Sequence, residues 1–410
     1  MRQPWPLLLG CALSLAVASS AFGQTTPPAP DKTTEEKKEV AKKEEEKPKT
    51  LWEEHTLFAY VENSYTKNLG KTSKGRVNDF RLYDFDDGYT FNVAEFSIKK
   101  DPSERYPFGY GLVLTAGMDS QKNHALGIFR DDDDQFAFRN TPRFDLQEAY
   151  ISGRIPIGNG LILKGGKFVT LLGYEVIEAP NNLNFSRGYL FTLSIPLTHV
   201  GGLAQYQFTD WFTMTVGGVV GWDVAKDNNG APSWTGQFAF IPFKDFAATL
   251  NWIAGPEQVD EDGNPRTVLD FVVTYTGFKG LTLAANVDYG WEYNEPSVRA
   301  TRGGSATAHW QAYAGYVAYN WTEKLRTALR GEIFLDEDGA RTLGAGNGAR
   351  VNLYEVTATV QYKIWKGLMG RLEYRHDEAN RKVFAATGDG TVPTKRHQDT
   401  ISISLDYLFF

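Results

Sequence analysis

The sequence predicts an all-β protein, a transmembrane antiparallel up-and-down β-barrel of about sixteen strands with short periplasmic turns and long extracellular loops. Apolar and polar residues alternate in segments of about ten residues from Thr56 onward. The links between these segments are short and long in turn. After residues 1–23, no stretch approaches the roughly 18 uninterrupted apolar residues that a spanning helix needs. A membrane location therefore requires a barrel, since only helices and closed barrels satisfy the backbone in lipid.

The first residues have the pattern of an export signal. Arg2 provides the basic start, an apolar core runs from Leu7 to Val17, and small residues lead to Gly23. We expect residues 1–23 to be a signal peptide that is cleaved before Gln24. The one Cys of the chain, Cys11, is interpreted as part of the apolar core of the signal, although its neighbours resemble a lipidation site.

Residues 24–54 are predicted to be a periplasmic linker rich in Pro, Lys and Glu. Residues 31–50 contain seven Lys and seven Asp or Glu, with no apolar stripe that could pack against a core. Such a composition favours a solvated tether. A helical spacer that contacts the cell wall is the alternative. The barrel itself is predicted to occupy residues 55–410.

Within the barrel region, each segment places apolar residues on one face and polar residues on the other. In 281–291, for example, the odd positions are apolar, while Thr282, Asn286 and Asp288 lie opposite them. In 325–333, the opposite face carries charged residues, including Arg326 and Arg330. Charged residues in such a row are unsuited to a dry core but fit an aqueous lumen.

The connections give the strand count. Short links are predicted at 101–107, 158–160, 209–210, 244–245, 279–280, 323–324 and 366–367. Long polar loops are predicted around 66–88, 119–142, 170–196, 223–233, 255–266, 293–309, 336–351 and 379–397. Seven turns and eight loops join sixteen strands and leave both ends of the barrel region on the short-turn side. Bacterial outer-membrane barrels have this asymmetry.

Tryptophan is enriched near the inferred strand ends, where aromatic girdles form at membrane interfaces. The residues concerned are Trp211, Trp222, Trp252, Trp291, Trp310, Trp321 and Trp365. The last strand closes the barrel on the strand that begins near Thr56. Its predicted lipid-facing residues are Ile401, Ile403, Leu405, Tyr407 and Phe409, and its predicted lumen residues are Ser402, Ser404 and Asp406.

The motifs of common enzymes are missing from the sequence. The six His residues show no HExxH or similar metal spacing, and no GxSxG motif is present. Acidic runs such as Asp131–Asp134 and Asp260–Gly263 lack the spacing of an EF-hand and are interpreted as solvated loops, with weak divalent-cation binding as the alternative. We therefore expect no enzymatic activity, no catalytic or metal site, no cofactor and no nucleic-acid partner.

The segment 171–196 is the most individual part of the chain. It either folds into the lumen and narrows it or forms an outer loop. If it folds inward, its charged residues Glu175, Glu178 and Arg187 would face basic residues of the wall and create a transverse field at a constriction. The candidate wall residues are Arg326, Arg330, Arg371 and Arg375.

Several short motifs resemble those of a known family. They are Gly173-Tyr174-Glu175, the run from Asn181 to Arg187, Pro196 to Gly201, and Gly221-Trp222-Asp223. On these motifs the chain, from about residue 51 to 410, resembles the β-barrel porins with OmpL-like members. The family commonly has Asn before the Gly-Trp-Asp, whereas Val220 stands here, so no role of that Asn is carried over. The resemblance implies a passive diffusion channel with no established reaction chemistry.

Barrel size leads to the same expectation. About sixteen strands leave an aqueous channel, and the linker is too short and polar to fill it. We expect an outer-membrane porin of a Gram-negative envelope that passes small hydrophilic solutes. The alternatives are a porin selective for phosphate or sugar and a non-conducting structural or adhesive barrel. The expected partners are outer-membrane lipid and lipopolysaccharide, the barrel-assembly machinery and two further copies in a homotrimer.

Overall fold

The computed structural model describes residues 51–70, 77–78, 80–84, 87–129, 142–302, 306–342, 349–384 and 393–409. The predicted signal peptide, most of the linker, the run Asp131–Asp134 and Phe410 lie outside the described residues. None of the helices in the described ranges has the length and hydropathy that a membrane span requires.

Sixteen antiparallel strands form one closed barrel, in which each strand pairs with its neighbours in sequence and β1 pairs with β16. The strands are β1 (His55–Asn68), β2 (Gly88–Lys100), β3 (Phe108–Ala116), β4 (Phe144–Ile155), β5 (Leu161–Val169), β6 (Thr198–Thr209), β7 (Phe212–Val219), β8 (Ser233–Phe243), β9 (Phe246–Gln258), β10 (Glu261–Tyr275), β11 (Leu281–Glu292), β12 (Ala308–Asn320), β13 (Leu325–Asp336), β14 (Val351–Trp365), β15 (Leu368–Ala379) and β16 (His397–Leu408). The predicted fold class and strand number are confirmed.

Burial along the strands is inverted relative to a soluble barrel. Large apolar side chains point outward and are exposed, as Leu329 and Ile333 are on β13. Charged side chains between them, Arg330 and Glu332, point inward and are buried. An apolar outer band around a polar interior is the pattern of a barrel in lipid.

The closing pair follows the alternation expected from the sequence. In the register of β1 and β16, Tyr60 lies opposite Leu408 and Asn68 lies opposite Thr400. The outward residues of the last strand are exposed, namely Ile401, Ile403, Leu405, Tyr407 and, just past its end, Phe409. The inward residues Ser402, Ser404 and Asp406 are buried.

Short turns at one end of the barrel span 101–107, 156–160, 210–211, 244–245, 276–280, 321–324 and 366–367. Longer connections follow the strands at the other end, and only their described residues are discussed: L1 (69–87), L2 (117–143), L3 (170–197), L4 (220–232), L6 (293–307), L7 (337–350) and L8 (380–396). L6 contains the helix α1 (Pro296–Arg302).

The predicted long loop at 255–266 is wrong. β9 and β10 continue through it and are joined by the tight turn L5 (259–260), where Asp260 adopts a φ of 57°. The pairing reaches Gln258 opposite Glu261. The run of polar residues and Gly looks like a loop in composition. A paired strand outside the lipid band needs no apolar face, so the composition was misleading.

Five of the seven tryptophans divide into two groups, and the other two, Trp252 and Trp291, are partly exposed. Trp211, Trp321 and Trp365 are exposed at the short-turn end, as a girdle requires. Trp222 and Trp310 are buried, and the guanidinium of Arg341 lies 5.0 Å from the first ring and 5.3 Å from the second. These two residues pack inside the barrel and are not part of a girdle.

Candidate functional site: a loop across the lumen

L3 lies inside the barrel, where its backbone donates hydrogen bonds to side chains of the wall. The N–H of Gly173 donates to Asp270 of β10 at 3.1 Å. The next N–H, of Tyr174, donates to Asn286 of β11 at 2.8 Å. These two contacts place the start of the loop against β10 and β11. We call the inward faces of β10 to β15 the docked wall.

A buried ion pair fixes the next part of L3. Glu175 lies 2.5 Å from Arg330 of β13, and the same guanidinium lies 2.6 Å from Glu355 of β14. All three side chains are almost fully buried. Arg330 also donates to the backbone carbonyl of Ser186, so one wall residue joins two separate parts of the loop.

Glu332, also on β13, accepts hydrogen bonds from the N–H groups of Tyr189 and Leu190. These donors lie at the start of a short π-helical turn, Leu190–Ser194. A Cβ atom at Gly188 would come within 2.4 Å of the Glu332 carboxylate. A side chain at position 188 would have to displace the Glu332 carboxylate, so glycine favours the close approach of the loop backbone to the wall.

β15 contributes a third set of contacts. Glu373 accepts from the N–H groups of Phe185 at 2.7 Å and Ser186 at 3.0 Å. Arg375 donates to the backbone carbonyl of Arg187 at 2.7 Å. The middle of L3 is thus held by one acid and one base of the same strand.

Arg187 mainly holds the loop to itself. Its guanidinium donates to the carbonyl groups of Val176, Ile177 and Phe185 at 2.7 to 2.9 Å. Its carbon atom Cζ lies 5.1 Å from the ring centre of Tyr83 in L1. These carbonyl groups lie at both ends of the bend between 176 and 187, so Arg187 closes that bend.

Asp377 connects L3 with L1. Its carboxylate accepts from the hydroxyl of Tyr189 in L3 at 2.6 Å and from Arg375 at 2.7 Å. Arg81, in the described part of L1, lies 2.5 Å from the other oxygen. One carboxylate of β15 therefore anchors two loops inside the barrel.

The last residues of L3 are held by L4. Asp223 accepts from the N–H groups of Leu197 at 2.7 Å and Thr198 at 2.9 Å. Burial raises the pKa of the Asp223 carboxyl, and these two hydrogen bonds oppose that rise. The Gly-Trp-Asp motif noted in the sequence therefore has a structural role in fixing where L3 ends.

Fewer hydrogen bonds join L3 to the inward faces of β16, β1, β2 and β4, which we call the opposite wall. Ala179 N donates to the hydroxyl of Tyr60 on β1 at 3.3 Å. Gln147 on β4 donates to Glu178 at 2.9 Å. The seam between this wall and the loop runs along residues 178–182, where the carbonyl groups of Ala179 and Asn182 also accept from Arg371 of the docked wall at 3.0 and 3.4 Å.

Carboxylates lie close together on the opposite wall. Glu62 of β1 and Asp406 of β16 are direct cross-strand neighbours, an arrangement that costs free energy unless a cation lies between them. Arg371 of β15 lies 3.0 Å from Asp406 and 3.9 Å from Glu62. One guanidinium therefore serves two carboxylates.

A second acidic group surrounds Lys99. Its ammonium lies 2.6 Å from Glu148. Glu95 lies four residues before Lys99 on β2, and Gln147, which precedes Glu148, donates to Glu178. Lys99 and Glu178 keep part of their surface exposed.

The seven residues proposed from the sequence as lining a constriction occupy different positions. Glu175, Arg187, Arg330, Arg371 and Arg375 are all buried in contacts that hold L3, and Arg371 also lies close to two wall carboxylates. Glu178 and Arg326 are partly exposed. Sequence reasoning did not single out the wall acids Glu332, Glu373 and Asp377, although they lie on the polar faces that the alternation identifies.

The family model described as "Putative beta-barrel porin-2, OmpL-like" matches residues 55–409. No curated protein matches the chain. Among solved structures, the outer-membrane channel DcaP of Acinetobacter baumannii has a TM-score of 0.56 and 12% identity, covering 87% of this chain and 97% of that one. The anion-selective porin from Comamonas acidovorans has a TM-score of 0.55 and 10% identity, covering 87% and 99%.

The trimer form of OmpT from Vibrio cholerae has a TM-score of 0.55 and 11% identity, covering 87% of this chain and 99% of that one. At such identities the likeness to these structures concerns the fold. The family match extends over nearly the whole barrel and agrees with the topology and the polar interior described above. The chain therefore belongs to the family of β-barrel porins, proteins of the outer membrane.

Proposed function

We propose that this porin is a passive diffusion channel for small hydrophilic solutes and that L3 sets its width. The observation that supports this most strongly is the position of L3 within the barrel, where buried charges fix it against one wall. A loop held in this way narrows the lumen without needing a plug domain. Solutes would then be selected by size and charge at the remaining gap.

Water-accessible polar residues at the short-turn end support an aqueous vestibule below L3. The inward residues Lys99, Gln205, Thr213 and Arg326 keep part of their surface exposed. Their side chains belong to β2, β6, β7 and β13, so they are spread around the barrel. Glu178 and Arg326 would border the gap, whereas Glu175, Arg187, Arg330 and Arg375 would keep its wall in place.

A channel selective for phosphate needs basic groups that are available to the solute. On the docked wall, Arg330 is paired with Glu175 and Glu355, and Arg375 is paired with Asp377. Arg371 is paired with Asp406. These arginines are used by protein carboxylates, which favours general diffusion over a phosphate-specific path.

The remaining parts of the proposal concern the envelope. Residues 1–23 would be cleaved as a signal peptide, and residues 24–54 would form a periplasmic linker. The barrel would be inserted by the assembly machinery, with the loops other than L3 facing lipopolysaccharide outside and the outward residues of β16 facing lipid. The similar OmpT of Vibrio cholerae is described in a trimer form, and we propose a homotrimer here as well. Neither enzymatic activity nor a cofactor or metal is part of the proposal.

The test is conductance in planar bilayers combined with the swelling of liposomes in sugars of increasing size. We expect stepwise current increases and a swelling rate that falls smoothly as solute size rises. Protein unfolded by heating in detergent is the control and should give neither signal. A folded barrel that gives no current would show a structural or adhesive barrel, and saturable uptake of one sugar or of phosphate would show a selective porin.

A further inference from the structure

We propose that Asp270 of β10 and Asp288 of β11 form a proton-binding site under the start of L3, where the two carboxyl groups hold one proton between them. Asp270 is the ionised member of this pair, and Asp288 is the carboxylic acid that donates to it. The proton has the role that an arginine has at other acid pairs of the interior. The site concerns the docking of L3 and exists whether or not the channel conducts.

The placement of the two side chains is the first step. Asp270 and Asp288 are direct neighbours in the register of β10 and β11. They are 0% and 1% exposed. Residues placed in this way have Cβ atoms about 5 Å apart, and like charges there repel each other. Two ionised carboxylates so close together and away from water need a cation or a proton between them.

Other inward carboxylates that are direct cross-strand neighbours show the usual solution. A guanidinium lies 3.0 Å or less from one carboxylate of each pair. The pairs and their arginines are Glu62 and Asp406 with Arg371, Glu332 and Glu355 with Arg330, and Glu355 and Asp377 with Arg375. Among the described residues, neither Asp270 nor Asp288 forms an ion pair. Their counter-charge must therefore be of another kind.

The residues around the pair supply no positive charge to it. In the row across the sheet, the pair is flanked by Asn251 on β9 and by Ala312 on β12. Arg266, farther along β10, lies 2.7 Å from Glu292. Arg341 of L7 donates to a backbone carbonyl of L3. Basic side chains of the neighbouring elements thus have other partners.

The hydrogen bonds indicate which carboxyl group holds the proton. Asp270 accepts from the N–H of Gly173 at 3.1 Å and from the amides of Asn251 and Asn286, so both of its oxygens have donors. A carboxylate with several donors stays ionised. Asp288 accepts from Asn286 at 3.2 Å, and its Oδ2 has no hydrogen-bond partner among the described residues. A proton on that oxygen turns it into a donor towards Asp270.

A metal ion fits this place poorly. The Nδ2 of Asn286 lies 2.5 Å from Asp270 and 3.2 Å from Asp288, so an N–H donor already lies beside both carboxyl groups. A proton needs no further room and leaves the bond from Gly173 to Asp270 in place. Because Tyr174 N donates to the same Asn286, the first residues of L3 are held by this network.

The experiment is infrared spectroscopy of the folded wild-type porin in detergent and mildly alkaline buffer, with and without ¹³C in the aspartate carboxyl groups. A protonated carboxyl group has a C=O stretching band that an ionised carboxylate lacks. We expect this band in wild-type protein, and the label should shift it because an aspartate carries the proton. The difference spectrum between wild-type protein and Asp288→Asn should show the loss of one such band.

Thermal unfolding in detergent provides the matched comparison. Asp288→Asn keeps an N–H donor where the carboxylic acid has its hydroxyl, so this variant should melt at the wild-type temperature. Glu355→Gln makes the same change from acid to amide, but at a carboxylate that lies 2.6 Å from Arg330. It leaves a buried guanidinium short of its partner and should lower the melting temperature by several degrees.

Three results would contradict the proton site. The first is wild-type protein without a band that responds to the aspartate label, which needs no variant. The second is a band that persists unchanged in Asp288→Asn. The third is a loss of stability in Asp288→Asn as large as in Glu355→Gln, or its failure to fold, since Asp288 would then be an ionised carboxylate bound by a cation. Folded protein without conductance would overturn the proposed function and leave this site unaffected.

Discussion

The docked wall and the opposite wall are built from the same strand pattern but differ in the partners of their inward groups. On the docked wall, carboxylates such as Glu332 receive donors from the backbone of L3. On the opposite wall, Glu62 and Asp406 are direct neighbours on the adjacent strands β1 and β16, and both lie close to Arg371. The alternation thus makes both walls polar, whereas the loop decides which carboxylates receive backbone donors.

The buried ion pairs of the docked wall position L3 more than they add to stability. Taking a carboxylate and a guanidinium out of water costs several kcal/mol, which their attraction roughly balances when hydrogen bonds complete the site. Removing one partner leaves the other buried without compensation, and that loss is large. The docked wall should therefore be far more sensitive to substitution than an exposed ion pair.

The largest effect is expected for Arg330→Ala. This change leaves Glu175 and Glu355 buried without their cation and should lower the free energy of unfolding by about 3–5 kcal/mol. L3 should then leave the wall, so the conductance of each channel should increase. Thermal unfolding in detergent and single-channel recording measure the two effects.

Arg350→Ala is the control for this prediction. Arg350 pairs with Glu337, but its side chain is 56% exposed, and such a pair contributes about 0–1 kcal/mol. Equal melting temperatures for Arg330→Ala and wild-type protein would show that L3 is not held by this ion pair.

A smaller effect, dependent on pH, is expected for Asp119 of L2, which packs beside Asn92 of β2. Burial raises the pKa of Asp119 to about 6, against the opposing charges of Lys122 and Arg187. The folded state therefore binds this proton more tightly than the unfolded chain, whose Asp has a pKa of about 3.9. The contribution to stability is present at low pH and is lost as the pH rises from about 4 to about 6.

Asp119→Asn should remove that dependence. Relative to wild-type protein, the free energy of unfolding of the variant should rise by at most about 3 kcal/mol between pH 4 and pH 6 and stay constant above, and its melting temperature should follow. Other groups titrate in the same range, so the difference between the two proteins is the quantity to measure. If the melting temperatures of the two proteins changed equally with pH from 4 to 7, the assignment to Asp119 would be contradicted.

Much of the fold could be predicted because its signals are local. Alternation with a period of two residues marks each strand, and a link of a few residues marks each turn between antiparallel neighbours. The error at 255–266 has a local cause as well, since polar residues of a paired extension resemble a loop. The inward face of the closing strand follows from the same alternation, and Ser404 and Asp406 are buried as it requires.

The site was less predictable because its contacts join distant parts of the chain. Glu175 and Arg330 are 155 residues apart in sequence, and Phe185 and Glu373 are 188 apart. Length and charge singled out the loop and the basic residues of β13 and β15 that it would face, yet they could not identify the acids that accept its N–H groups. The wall acids were not predicted because the expected transverse field required basic wall residues, whereas Glu373 accepts loop N–H groups.

The smallest effects on stability are expected for two buried amide side chains, one on each wall. Asn286 of the docked wall accepts from Tyr174 N and donates to Asp270, so Asn286→Ala leaves a loop N–H and a wall carboxylate short of partners. A cost of about 1–3 kcal/mol is expected. Gln147 of the opposite wall donates to Glu178, and its own oxygen has no hydrogen-bond partner in the protein.

Gln147→Ala should cost about 1 kcal/mol or less, because water in the seam can take over the hydrogen bond to Glu178. Chemical unfolding of both variants in the same detergent gives the comparison. Equal losses would mean that the seam is as dry as the docked side. A larger loss for Gln147→Ala would reverse the assignment of the two walls, since the amide that water can replace must be the one whose removal costs less.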